Sequence, residues 1–117
     1  MDKMPLAGTA RLLTLNLLWR STGMRAAGRA LVNALGSGSE DLRAIAGMLL
    51  VKSGMAAEPL LQEALSQRRH LPMVLTLLGN IGSRKVEPEL RNLALDPDPT
   101  VADAAQEALR VLSAKRV

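Results

Sequence analysis

The chain repeats one arrangement of helix-ending and helix-starting residues, and this repeat constrains its fold more than any other feature. The segment MLLVKSGMAAEPLLQEAL (48–65) parallels TLLGNIGSRKVEPELRNLAL (76–95). In each segment an apolar helical pattern stops at a glycine, and a Glu-Pro pair opens a second helix after a short link. The two glycines, Gly54 and Gly82, lie 28 residues apart. A repeat of this length is typical of helical arrays, in which each unit packs on its neighbours.

Proline and glycine occupy positions in this repeat that helix geometry tolerates. Pro59 and Pro88 open helices, where the first turn does not use the N–H that proline lacks. Gly54 and Gly82 can adopt the left-handed conformation that ends a helix. The apolar spacing between such breaks is helical, and no segment shows the sustained alternation of a half-buried strand. We predict seven helices, near residues 6–20, 23–35, 40–53, 57–66, 70–81, 86–95 and 99–114.

The last predicted helix follows an Asp-Pro-Asp-Pro sequence. Asp96 or Asp98 can cap this helix by accepting hydrogen bonds from its free N–H groups, and Pro99 suits its first turn. The apolar positions of the segment PTVADAAQEALRVL follow the helical interval, so we predict that Leu109 is a core residue, as is Leu78 in the preceding repeat. Its alanines would let a neighbouring helix approach closely.

These segments together resemble the HEAT-repeat family, and especially its short bacterial form that is similar to phycobilin lyases. The segments DLRAIAGMLLVKSG, LLGNIGSRKVEPEL and DPDPTVADAAQEAL carry the resemblance, which covers about residues 39–114. Residues 1–38 match poorly and are predicted to form an irregular helical cap or docking segment. The resemblance implies an all-α fold, a short α-solenoid of stacked antiparallel helix pairs in a single domain over residues 1–117. It also implies a role in binding other proteins.

The composition excludes several kinds of chemistry. The chain has no cysteine, which removes disulfides, thiol nucleophiles and thiolate zinc sites. Its single histidine, His70, is predicted to be a surface residue at a helix start. Neighbouring carboxylates also lie at predicted helix starts, where they favour the positive end of the helix dipole; these are Glu40 with Asp41, Glu87 with Glu89, and Asp96 with Asp98. We therefore expect a non-catalytic protein without a cofactor or a metal.

Positive charge is concentrated near the start of the chain. Residues 1–38 hold five bases and one acid, whereas residues 39–117 hold ten of each. Such asymmetry is typical of binding to an acidic partner, nucleic acid or a membrane surface, although arginines on a solvated face give the same pattern. The acid-free stretch also resembles an organelle transit peptide. A secretory signal is only weakly indicated, because no small-residue cleavage site follows the apolar segment Leu6–Trp19. We expect the start of the chain to be retained and packed, in a cytoplasmic protein.

The first predicted helix is apolar on nearly all sides, and only a narrow polar strip interrupts its leucines. A helix of this kind is normally buried on several sides, yet a terminal helix has few neighbours. Three environments are open to it: the core of its own chain, a partner protein (most simply a second copy), and a membrane surface. We predict that it contacts another chain through Leu12, Leu15, Leu18, Trp19, Arg11 and Arg20.

Two basic pairs are predicted to share one edge of the array. Arg68-Arg69 and Arg84-Lys85 lie in links between helices, and equivalent links of an array tend to lie together. This edge would bind phosphates. Trp19 is the only aromatic residue, so base stacking is unavailable and we expect weak binding without sequence preference. The sequence therefore predicts a protein-binding scaffold, adaptor or assembly factor, with nucleic-acid or membrane-surface binding as alternatives.

Overall fold

The computed structural model describes residues 6–115, and within that range it contains seven α-helices, two short 3-10 segments and no strand. The helices are α1 (Leu6–Thr22), α2 (Arg25–Asn33), α3 (Glu40–Ser53), α4 (Glu58–Ser66), α5 (Leu71–Ile81), α6 (Glu87–Leu93) and α7 (Pro99–Ala114). The 3-10 segments, Ala34–Gly36 and Gly54–Ala57, follow α2 and α3. The predicted all-α class and number of helices are confirmed. Residues 1–5, which belong to the predicted N-terminal cap, lie outside the described range.

The residues group into two compact units that divide between Ser53 and Gly54. In the first unit α1 packs on α2 and α3. In the second unit α5 packs mainly on α7, while α4 contacts α5 and α6 contacts α7. The predicted single domain with a cap ending at residue 38 stays a prediction.

The core of the second unit consists of aliphatic side chains. Val74, Leu75 and Leu78 on α5 are completely buried, and Leu112 on α7 is 1% exposed. The prediction for Leu78 is thus confirmed, whereas Leu109 is only half-buried. Leu112 lies three residues further along α7 and is the buried leucine of that helix.

The helix starts and stops follow the predicted capping chemistry. The side chain of Asp98 accepts a hydrogen bond from the Thr100 N–H at 2.9 Å, and Pro99 lies in the first turn of α7. Asp96 accepts from the Asp98 N–H, also at 2.9 Å, and so shapes the link before the helix. At the end of α5, Gly82 has φ +79°, the left-handed geometry that favours glycine.

A second glycine, Gly79, sets the distance between α5 and α7. A Cβ atom at this position would lie 3.0 Å from the Cα atom of Ala108 and 3.1 Å from its Cβ. Ala108 is itself 1% exposed, so the two helices meet through their smallest side chains. The α7 alanines were predicted to let a neighbouring helix approach closely, and the helix that approaches Ala108 is α5, at Gly79.

A buried polar contact, which the sequence analysis did not find, joins α4 to the link after α5. Glu58 is 4% exposed and Ser83 is fully buried. The Ser83 hydroxyl donates a hydrogen bond to Oε2 of Glu58. The contact satisfies both groups away from water, so the start of α4 is held to the end of α5.

One helical run, Glu40–Ser66, is long and apolar enough to cross a membrane, judged by length and composition alone. It contains α3, the following 3-10 segment and α4, and Gly54 within it has φ +61°. The left-handed residue interrupts regular helix, and 44% of the apolar window is buried inside the protein. These features are those of core helices, so the run is a weak indication of a membrane span.

Candidate docking surface

The inner side of α1 belongs to the core of the first unit. Leu12 is 2% exposed, and Leu15, Leu18 and Trp19 are half-buried. The Trp19 indole N–H donates to Oδ1 of Asn16 at 3.3 Å, one turn earlier on the same helix. Because Leu12 is already covered by its own chain, the prediction that it contacts a partner is wrong.

Glycine allows α1 to lie close against α3. A Cβ atom at Gly8 would approach Cδ1 of Leu42 to 3.0 Å. The inner side of α1 is thereby fixed by contacts within the first unit.

Among the side chains of α1 that the structure describes (residues 7–22), the large exposed apolar ones are two leucines that the predicted set omitted. Leu13 is 51% exposed and Leu17 is 67% exposed. They are four residues apart, and the exposed Ala10 lies three residues before Leu13, so all three share one face. We call Ala10, Leu13 and Leu17 the outer stripe of α1. The sequence could not separate this stripe from the inner side, because α1 is apolar in every direction.

Both predicted arginines of α1 are exposed. Nη1 of Arg20 donates to the Ser53 hydroxyl at 3.1 Å, and that hydroxyl donates to the Leu49 carbonyl at 2.9 Å. This contact ties the guanidinium of Arg20 to the end of α3, and Arg20 itself lies three residues after Leu17 on α1. Arg11 lines an open cavity of about 250 Å³ in the first unit, and its other lining residues include Asn33, Ser37 and Leu42.

The predicted phosphate edge is not formed, because its two basic pairs lie at opposite ends of α5. Arg68 and Arg69 precede the first residue of this helix, and Arg84 and Lys85 follow its last residue. An 11-residue helix is about 16 Å long. In antiparallel helix pairs, successive links alternate between the two ends. The link before α5 and the link after it therefore cannot share an edge, and this corrects the prediction.

Arg68 and Arg84 each make an intramolecular contact. Nη2 of Arg68 lies 3.0 Å from Oδ2 of Asp96, and Nη2 of Arg84 donates to the Leu112 carbonyl at 3.3 Å, in the last turn of α7. The Asp98 N–H, and then Arg68, lower the pKa of Asp96 below its ordinary value. Phosphate binding by any of these four basic residues stays a prediction, although the common edge on which the prediction was based is not formed.

The histidine and the first predicted pair of carboxylates lie at helix starts. His70 is the N-cap of α5, with φ +50°, and Glu40 and Asp41 lie in the first turn of α3. No group of three or more histidine and carboxylate side chains in residues 6–115 could hold a metal ion. Of the described carboxylates, Glu40, Asp41, Glu58, Glu87 and Glu89 lie in the first turns of helices.

The comparison with protein families agrees with this architecture. The family model of HEAT repeats matches residues 28–110, from α2 into α7. The match starts before residue 39, where the predicted repeats begin. Most of α2, which was predicted to belong to the N-terminal cap, therefore lies within the family match. No curated protein and no solved structure gives a significant match. Because the family model covers well over half of the sequence, the chain belongs to the HEAT-repeat family.

Proposed function

We propose that this chain is a non-catalytic scaffold, an adaptor or assembly factor, that docks a protein partner on the outer stripe of α1. HEAT repeats generally mediate protein interactions and are generally non-catalytic, which supports this class of function. The single observation that carries the proposal is the exposure of Leu13 and Leu17 one turn apart. Burying a leucine side chain contributes about 1.5–3 kcal/mol, so a partner that covered both would gain substantially.

The last helix of the same chain provides an internal comparison. The exposed side of α7 carries Asp103, Gln106, Glu107 and Arg110, with an ion pair between Glu107 and Arg110. Terminal helices of repeat arrays need such a polar outer face for solubility. The outer side of α1 instead exposes Leu13 and Leu17 beside the uncharged Thr14 and Ser21, which supports a role for it in docking.

A photo-crosslinking amino acid at position 17 tests the proposal in cells of the natural source. We expect one saturable crosslinked protein, and we expect no such product when the same amino acid replaces Gln106 on α7. The purified partner should then bind the purified chain, and the double change Leu13→Ser with Leu17→Ser should weaken binding at least about tenfold. Equal crosslinking at both positions, or binding that ignores the double change, would overturn the proposal.

The rival function is nucleic-acid binding. It is supported by the excess of basic residues near the start of the chain. Phosphate contacts predict an affinity that falls steeply as salt rises. With a labelled DNA duplex we expect weak, salt-sensitive binding, and Lys85→Gln should change it little. Tight, sequence-specific binding in physiological salt would replace the scaffold proposal. The cytoplasmic location that we expect from the sequence remains part of the proposal.

A further inference from the structure

We infer that the outer stripe of α1 binds an acidic amphipathic helix of another protein, rather than a second copy of this chain. The inference rests on the proposed function and specifies the chemistry of the partner. It follows from the shape of the stripe, the charge around it and the polarity of the neighbouring exposed positions.

The shape of the stripe suits a helix. Ala10, Leu13 and Leu17 recur at intervals of three and four residues, and Arg20 continues the same face three residues later. A helix that packs on another helix places its own side chains at the same intervals into the spaces between them. A helix that binds to a protein surface usually does so through apolar residues spaced three or four positions apart. The small side chain of Ala10 leaves room at one end of the stripe, and Arg20, whose guanidinium donates to Ser53 at the end of α3, follows the other end in sequence.

The charge around the stripe favours a partner that carries carboxylates. Between residues 6 and 53 the first unit has six basic and two acidic side chains, a net charge of +4. No acid occurs between residues 6 and 39, so the whole length of α1 and α2 is without a carboxylate. Both acids, Glu40 and Asp41, lie in the first turn of α3. Carboxylates on the flanks of a partner helix would complement this field and speed its association.

The same charge argues against the second copy that the sequence analysis favoured. A two-fold dimer through the outer stripe would present the same patch on both chains. Two first units, each with a net charge of +4, would then face one another, with no carboxylate in α1 or α2 to offset the repulsion. Like charges across an interface oppose association.

A membrane surface fits the stripe less well than a helix does. The two exposed leucines share the outer side of α1 with the exposed polar residues Thr14 and Ser21. The large aromatic residue Trp19 is half-buried on the inner side and bonded to Asn16. An interfacial helix gains its affinity from a broad buried apolar face together with attraction to anionic lipids. Here the charge is present and the broad apolar face is not.

A displayed library of helical peptides, with randomised surface positions and selected on the full-length chain, tests the inference. We expect selected peptides to carry leucine-like residues at intervals of three and four, and more Asp and Glu than the starting library. Their affinity should fall several-fold when salt is raised from about 50 to 250 mM, because the flanking charges are exposed. It should fall at least about tenfold in the chain with Leu13→Ser and Leu17→Ser.

Two further variants separate charge from folding. Arg20→Gln removes the charge and keeps a donor for Ser53, so it should weaken peptide binding several-fold without changing the circular-dichroism spectrum. Lys85→Gln lies in the other unit and should leave binding unchanged. Equal effects of the two variants would show that Arg20 is not part of the site.

Four outcomes would overturn the inference. Selected peptides without an acidic excess would leave docking on α1 intact and refute only the chemistry of the partner. A selection that yields no binder dependent on Leu17 would refute a helical acidic partner. A dimer in light scattering that Leu17→Ser dissociates would assign the stripe to a second copy, and binding to anionic vesicles with the same dependence would assign it to lipid. If crosslinking from position 17 captures no protein, the proposed function itself fails, whatever the peptides show.

Discussion

Ser83 illustrates how a single hydroxyl can matter more than its size indicates. Its Oγ donates to the buried carboxylate of Glu58, so Ser83→Ala would leave that carboxylate without this donor. We expect a loss of about 1–3 kcal/mol in the free energy of unfolding, measured by urea denaturation. Glu58→Gln keeps an acceptor and should cost less. Ser113→Ala, at an exposed position, should change stability by less than about 0.5 kcal/mol, and an equal effect at both serines would contradict the assignment.

Gly79 poses a conflict between two residue-scale effects. Alanine is the better helix former by about 1 kcal/mol, so Gly79→Ala would stabilise an isolated helix. In this fold, however, the new Cβ would lie 3.0 Å from the backbone of Ala108, which can retreat only if α5 and α7 separate. Overpacking of this kind costs about 1–3 kcal/mol, so we expect a net loss of stability in thermal or chemical unfolding. Asn80→Ala, exposed on the same helix, is the control, and a stabilising Gly79→Ala would show that the helices separate easily.

At the scale of the element, α1 shows what the sequence could and could not determine. Gly54, Gly82, Asp98 and the helix-opening prolines were predictable because capping depends on a few adjacent residues. The buried side of α1 was not predictable from the sequence. The leucines of this helix lie on all its sides, so their spacing does not indicate which side faces the core. The error about the basic edge was avoidable. Aligning Gly54 with Gly82 pairs Arg84-Lys85 with residues 56–57, and not with Arg68-Arg69.

Two leucines of α1 provide a matched test of its two sides. Leu12→Ala removes a side chain that is 2% exposed and should cost about 2–5 kcal/mol of stability. Leu17→Ala, at a position that is 67% exposed, should cost less than about 0.5 kcal/mol and instead weaken partner binding. Chemical denaturation of both variants measures the first effect, and binding of the crosslinked partner measures the second. Equal stability losses would show that the stripe is covered within the folded chain.

The link before α7 should make stability depend on pH. The pKa of Asp96 is lowered in the folded state, by the Asp98 N–H and by Arg68, relative to the unfolded chain. Its charged form therefore stabilises the fold above the unfolded pKa, and that contribution disappears as pH falls through the folded value. The difference in unfolding free energy between wild type and Asp96→Asn should have its largest value near pH 6 and should decrease below about pH 4. A difference that stays constant across this range would exclude a role for the carboxylate charge.

At the scale of the whole molecule, the repeat predicted the fold class, since each helix pair needs its neighbours to bury its apolar face. It did not predict that the contacts divide between Ser53 and Gly54.

This division predicts that a chain without residues 1–22 loses the structure of the first unit and keeps that of the second. Removing α1 takes away the helix on which both α2 and α3 pack, so amide protection in α2 and α3 should be lost. Helices α5 and α7, which pack through Gly79 and Ala108, both belong to the second unit. The backbone amides of these two helices should therefore keep their protection. Hydrogen exchange followed by mass spectrometry measures both sets of amides in one experiment. Loss of protection throughout the chain would show instead that it folds as the single cooperative domain predicted from its sequence.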